Sequence, residues 1–262
     1  MLKINHLTKR YGDYAAVNDL SLHIQPGEIY GFIGHNGAGK TTTLKCVAGI
    51  LSYENGDIAI NGFDIQKNAL DAKKITAYIP DNPDIYDYMT AIQYLNFVAD
   101  IFGVTQAERQ ARIKKYGDMF ELTEKLAQPV NAYSHGMKQK LAVMAALVHD
   151  PKLILMDEPF VGLDPTAAFL LKKTMREICD NGGAIFFSTH VLEVAEKLCD
   201  KVAIIKGGKL IRSGTMEEVK GDESLEEVFL ELQNGAIPTV QQDPSMNFEI
   251  PEFKQEKKKR FW

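Results

Sequence analysis

The chain has 262 residues, 45% hydrophobic and 25% charged, with a formal net charge of -5. These values fit a globular protein with a sizeable core and exclude a disordered, low-hydrophobicity chain. The acidic balance argues against nucleic acid as the main partner, because a phosphate-binding surface makes a domain basic.

The N-terminal stretch MLKINHLTKRYG lacks the continuous apolar segment of a secretory signal, and no apolar run approaches the roughly 20 residues that span a bilayer. Residues 1 to about 30 carry short alternating runs such as Ser21-Leu22-His23-Ile24-Gln25, ended by Pro26-Gly27, and predict antiparallel strands. An apolar run then enters GFIGHNGAGKTTTL, Gly31 to Leu44, where a strand gives way to a helix. Asn55 to Gly62 predicts another short strand between turn signals.

From about residue 85 to 149 the pattern is helical. Leu141, Met144, Ala145 and Val148 recur at i, i+3, i+4 and i+7, and Asp150-Pro151 stops that helix. Beyond residue 151, near-continuous apolar runs at Leu153–Met156 and Ala184–Phe187 predict strands buried on both faces of a parallel sheet. Val202–Ile205, Gly207-Gly208 and Leu210-Ile211 predict a hairpin, and the last helix covers Leu225 to Leu232. The end, KKKRFW, reads as a loosely ordered tail that is either solvated or held to anionic lipid. Cys46, Cys179 and Cys199 are widely spaced, odd in number and expected to be free thiols, with Cys46 and Cys199 in the core.

The fold class is therefore α/β with an inserted helical subdomain. The expected organisation is a first core part over 1–84 with an antiparallel β subdomain, a helical subdomain over 85–150, a second core part over 151–232 and a tail over 233–262. Three apolar runs end in polar clusters, at Gly34-His35-Asn36, Asp157-Glu158 and Ser188-Thr189-His190. In an open parallel sheet, ligands bind beyond the carboxyl ends of the strands, so adjacent strands would bring these clusters into one crevice.

Gly34 to Thr41 fits G-x-x-x-x-G-K-[ST]. Glycines allow the positive φ angles that turn successive N–H groups inward, and the following helix adds its dipole. Lys40 should reach the β- and γ-phosphates, and the Thr41 hydroxyl should take a place on Mg²⁺. By themselves, His35 and Asn36 hold variable positions of this loop and carry no chemistry. Paired carboxylates at a strand end repel unless a cation or a lysine offsets them, so Asp157 is assigned to Mg²⁺ through water, and Glu158 orients or deprotonates the attacking water. A pair of satisfied salt bridges is the structural alternative.

At YSHGMKQK, residues 133–140, the motifs converge, and residues 1–232 resemble the ATP-binding cassette of ABC transporters. Ser134, Gly136 and Gln139 are similar to the family's LSGGQ signature, with Tyr133 and His135 departing from it. The resemblance implies a P-loop NTPase core that binds ATP and Mg²⁺. It places Walker A at Gly34 to Thr42, so that Asn36, Gly37, Ala38, Gly39, Lys40, Thr41 and Thr42 contact nucleotide, and Walker B at Leu153 to Glu158. It also puts the adenine-stacking aromatic at Tyr11, the D-loop at Gly162-Leu163-Asp164 and the switch histidine at His190. Asp81 stands where the family has a glutamine that contacts Mg²⁺. It is either a metal ligand through water or a solvated loop carboxylate.

The resemblance further implies an ATPase that pairs with a second cassette, identical or paralogous. Each ATP would lie between Walker A of one chain and Ser134 and Gly136 of the other. A separate integral membrane permease would dock around residues 81–100, where Tyr86, Tyr88 and Phe97 are either docking surface or core, so the chain would work at the cytoplasmic face of the membrane. Glu223 to Glu231 resembles the exporter branch for drugs, peptides, lipids or polysaccharides. Rival readings are a soluble ABC ATPase acting on nucleic acid or ribosomes and a P-loop nucleotide kinase or GTPase.

Overall fold

A computed structural model describes residues 1–234. Strand β1 (Leu2–Tyr11) turns at Gly12-Asp13 into β2 (Tyr14–Ile24), which sets Tyr11 opposite Tyr14. Strand β3 (Ile29–Ile33) leads into the glycine loop and helix α1 (Lys40–Val47). Next come β4 (Asn55–Ile60), β5 (Phe63–Asp64), α2 (Ala69–Lys74) and β6 (Thr76–Ile79). Strands β2-β1-β4-β5 form an antiparallel sheet, as the alternating runs predict.

The helical insertion comprises α3 (Ala91–Ile101), α4 (Gln106–Met119) and α5 (His135–Leu147). Sequence chemistry starts each helix. Thr90 with Gln93 and Thr105 with Glu108 form capping boxes on α3 and α4, and the Ser134 side chain accepts from the Met137 N–H on α5. Helix α5 closes at Leu147, before the predicted Asp150-Pro151 stop, and Asp150 then turns the chain at a φ of 59°.

The remainder alternates: β7 (Leu153–Asp157), α6 (Pro165–Asp180), β8 (Ala184–Thr189), α7 (Leu192–Leu198), β9 (Lys201–Lys206), β10 (Lys209–Thr215), α8 (Met216–Lys220) and α9 (Leu225–Asn234). Helix α9 extends two residues past Leu232, into the segment assigned to the tail. The rest of that tail, KKKRFW included, lies outside the described residues. The six strands order as β10-β9-β3-β8-β7-β6, all parallel except the β9–β10 hairpin.

Strand alternation divides the core between the two faces of this sheet. Ile154, Met156, Ile185 and Phe187 face α5, α6 and α7, while Leu153, Leu155, Ala184 and Phe186 face α1 and the antiparallel sheet. The three cysteines are free and buried, and burial pushes the Cys46 thiol up to about 11 and Cys179 up to about 12. Thiols this reluctant to ionise are packing residues. Among the described residues no helix is long and apolar enough to cross a membrane.

Candidate nucleotide site

Strands β3, β8 and β7 are neighbours, so their carboxyl ends bring the three polar clusters together. Two glycines make the loop after β3 possible. Gly39 has a φ of 109°, and a Cβ there would meet the Ala16 carbonyl oxygen at 2.4 Å. A Cβ at Gly34 would meet the Ile205 carbonyl oxygen at 2.6 Å. The loop is thus bare backbone pressed against β2 and β9; the Ala38 N–H donates to the His35 carbonyl at 3.1 Å, and an anion would be met by the loop's other N–H groups.

Lys40 is buried at the first turn of α1, and its ammonium donates to the carbonyls of Gly34 at 2.6 Å and His35 at 3.3 Å. It also lies 3.7 Å from Glu158 Oε1. Burial lowers the Lys40 pKa, while the Glu158 and Asp157 carboxylates oppose that shift. Thr41 and Thr42 are half-buried on the same turn, Ala38 is buried, and Asn36 and Gly37 are exposed at the loop tip.

Asp157 ends β7 and is 1% exposed. Its Oδ1 accepts from Ser188 Oγ on β8, and its Oδ2 is buried without a hydrogen-bond partner. A buried carboxylate oxygen left in that state calls for a cation or a bound water. The described residues contain no group of three acidic, histidine or cysteine side chains able to hold a metal alone. One carboxylate, a threonine hydroxyl and substrate phosphates make the kind of donor set that suits Mg²⁺. Asp157 and Thr41 fit that group.

Glu158 holds a φ of 47°, a left-handed conformation that costs energy in any residue with a side chain. Its backbone N–H is held by the Ser188 carbonyl at 3.3 Å and Ser188 Oγ at 3.1 Å. Its carboxylate meets His190, with Nδ1 3.0 Å from Oε1 and the backbone N–H 3.4 Å from Oε2. The structure therefore gathers Lys40, Asp157, Glu158 and His190. The salt-bridge alternative describes Glu158 in this state but leaves Asp157 Oδ2 unexplained.

The other candidates lie further out. Tyr11 is 51% exposed beside the loop, with the Lys9 ammonium 5.3 Å from its ring centre. Its cross-strand neighbour Tyr14 donates to the Gly37 carbonyl at 3.5 Å. Asp81, just past β6, is exposed, and its carboxylate accepts from the Asn82 N–H at 2.9 Å.

Ser134 is exposed at the α5 N-terminus, and no hydrogen bond or ion pair ties it to the Gly34–Thr42 loop of its own chain. A Cβ at Gly136 would meet the Gly162 carbonyl oxygen at 2.8 Å, and Lys140 pairs with Asp164 at 2.8 Å, so the signature segment is joined to the D-loop. Gln139 is fully buried, and neither amide atom has a hydrogen-bond partner. Gln139 is therefore not on the exposed surface that carries Ser134.

Tyr86 and Tyr88 are 63% and 97% exposed and Phe97 is 41% exposed, which makes them surface rather than core. Two residues at the site were not assigned by sequence reasoning. Ser188 opens the polar run after an apolar strand, but a serine there does not announce which carboxylate it will hold. Tyr14 follows Tyr11 across a two-residue turn, a spacing that sets the two rings side by side.

Residues 17–161 match the family model described as ABC transporter. An uncharacterized ABC transporter ATP-binding protein of Bacillus subtilis, YxlF, is 39% identical over 84% of this chain and 72% of its own length. The linearmycin resistance ATP-binding protein LnrL of the same organism is 32% identical over 84% of this chain and 70% of its own. A solved structure of an ATP-binding subunit of an ABC transporter superposes with a TM-score of 0.86 at 33% identity, covering 89% of this chain and all of that one.

Proposed function

The chain belongs to the ABC transporter family as an ATP-binding protein, and from that membership and its site we propose that it is the ATP-hydrolysing subunit of a membrane exporter. The observation that carries this is the convergence of Lys40, Asp157, Glu158 and His190 at the ends of three adjacent strands.

Lys40 leaves the Gly34 and His35 carbonyls and turns its ammonium to the β- and γ-phosphates, while the loop's N–H groups take the remaining oxygens. Asp157, fixed by Ser188, and the Thr41 hydroxyl would hold Mg²⁺. Bound there, the ion would neutralise charge on the phosphate oxygens. Glu158 accepts a proton from the attacking water or orients it, and His190 keeps its carboxylate aimed. Tyr11 offers a ring face to adenine. Asp81 is a further candidate toward the metal through water.

Ser134 and Gly136 start a helix whose N-terminus makes no hydrogen bond or ion pair to its own phosphate loop, and a second cassette, identical or paralogous, would bring them to a γ-phosphate. Hydrolysis removes that bridge and lets the pair open. The exposed Tyr86, Tyr88 and Phe97 supply apolar surface for an integral membrane permease, which would hold the chain at the cytoplasmic face. Export is supported by the resistance function in the name of LnrL and by the resemblance of residues 223–231 to the exporter branch.

The test is isolation from membranes in mild detergent. Co-purification of a polytopic membrane protein with Mg²⁺-dependent ATPase activity is the expected result. Co-purification of RNA or ribosomes without a membrane protein would reject the exporter reading.

A further inference from the structure

Asp157 is held from one flank. Ser188 on β8 donates to its Oδ1, while Oδ2 is buried and unpartnered. The strand on its other flank is β6. Parallel pairing sets Tyr78 of β6 opposite Leu155 and Ile79 opposite Met156. Side chains alternate, so Tyr78, Leu155 and Asp157 project on the same face of the sheet. The core follows that division: Ile79 and Met156 belong to the cluster on the α5 face, whereas Tyr78 packs with Leu155 on the face of α1 and the phosphate loop.

The Tyr78 hydroxyl is also buried and also lacks a hydrogen-bond partner. Two such atoms on adjacent strands and one face are complementary, one an O–H donor and the other a carboxylate acceptor. Burial raises the Tyr78 pKa, and Asp157 and Asp81, in that order, raise it further. Each orphan is explained if a water fits between them, donating to the Asp157 carboxylate and hydrogen-bonding the Tyr78 hydroxyl, which can accept as well as donate.

We propose that Tyr78 is a positioning residue of the cation site, its hydroxyl hydrogen-bonded to a water ligand of the ion that Asp157 holds. Tyr78 would close from β6 the site that Ser188 closes from β8. The inference rests on the assignment of Asp157 to the cation. Partners one layer outside a metal's ligands orient those ligands, and losing one weakens metal affinity about tenfold or more.

Tyr78→Phe keeps the ring and removes only the hydroxyl. The measurements are thermal melting of the free variant and Mn²⁺ titration by electron paramagnetic resonance with a non-hydrolysable ATP analogue. The expected result is an unchanged or raised melting temperature without ligand and Mn²⁺ affinity about tenfold weaker. A free variant that melts several degrees lower would mean that the hydroxyl is structural, and the inference falls. Mn²⁺ affinity within twofold of the parent would also overturn it. Asp157→Asn separates the two levels: if it keeps full Mn²⁺ affinity the cation assignment itself fails, and if it loses affinity while Tyr78→Phe does not, only the tyrosine inference fails.

Discussion

His190 Nδ1 lies 3.0 Å from Glu158 Oε1, across the gap between the ends of β8 and β7. Glu158 makes this contact from a left-handed backbone with a φ of 47°. Glu158→Gln keeps the shape and removes the base. ATP should still bind, and hydrolysis should slow about 10²–10⁴-fold. Phosphate release under saturating ATP checks this, and near-normal turnover would remove Glu158 from the chemistry.

Lys40 holds two loop carbonyls in the free protein and is expected to exchange them for phosphate oxygens. Lys40→Ala should weaken ATP binding by about 10–100-fold, the range of one lost charge-assisted hydrogen bond. Nucleotide titration is the measurement. Unaltered affinity would assign the lysine to loop structure alone.

Gly39→Ala would press a methyl group onto the Ala16 carbonyl and force an L-residue to a φ of 109°. Helix and strand content by circular dichroism should stay near the parent's, while nucleotide binding is lost. If binding survives, the loop tolerates a shape that its contacts with β2 forbid on steric grounds, and the backbone-cradle account fails.

Ser134 caps α5 from an exposed position. Ser134→Arg, in a Glu158→Gln background, should abolish ATP-driven pairing of cassettes. Size-exclusion chromatography with and without ATP reads the result, and dimers of normal strength would refute the role of Ser134 across a dimer interface.

Burial pushes the His149 imidazole, stacked 3.7 Å from Phe102, down to about 4 from 6.5. Above pH 6.5 both folded and unfolded chains are neutral there, and no stability depends on it. As pH falls from 6.5 toward 4, the unfolded chain takes up a proton that the folded chain refuses, so stability is lost. His149→Phe retains the stack and should remove a loss of roughly 3 kcal/mol at most. Urea unfolding of both proteins at pH 7 and pH 4.5 measures the difference, and parallel acid sensitivity would deny His149 that part.

Much of this protein was legible in its sequence because its signals are local. Alternation over residues 2–24, the turn at Gly207-Gly208, the capping threonines and serine and the spacing of the phosphate loop each reflect contacts between residues close in the chain. What only the tertiary structure decided depends on residues far apart. The order β3-β8-β7-β6 gives Asp157 a serine on one side and, on the other, the strand that carries Tyr78. Ser188 is 31 residues from the carboxylate it holds, and no short-range pattern encodes that distance. The same reason accounts for Gln139, which lies in a recognisable motif yet is fully buried, and for Tyr86 and Tyr88, whose apolar rings face outward. Hydrophobicity records a tendency to be buried, but which side chains find a partner is set by the packing of whole elements.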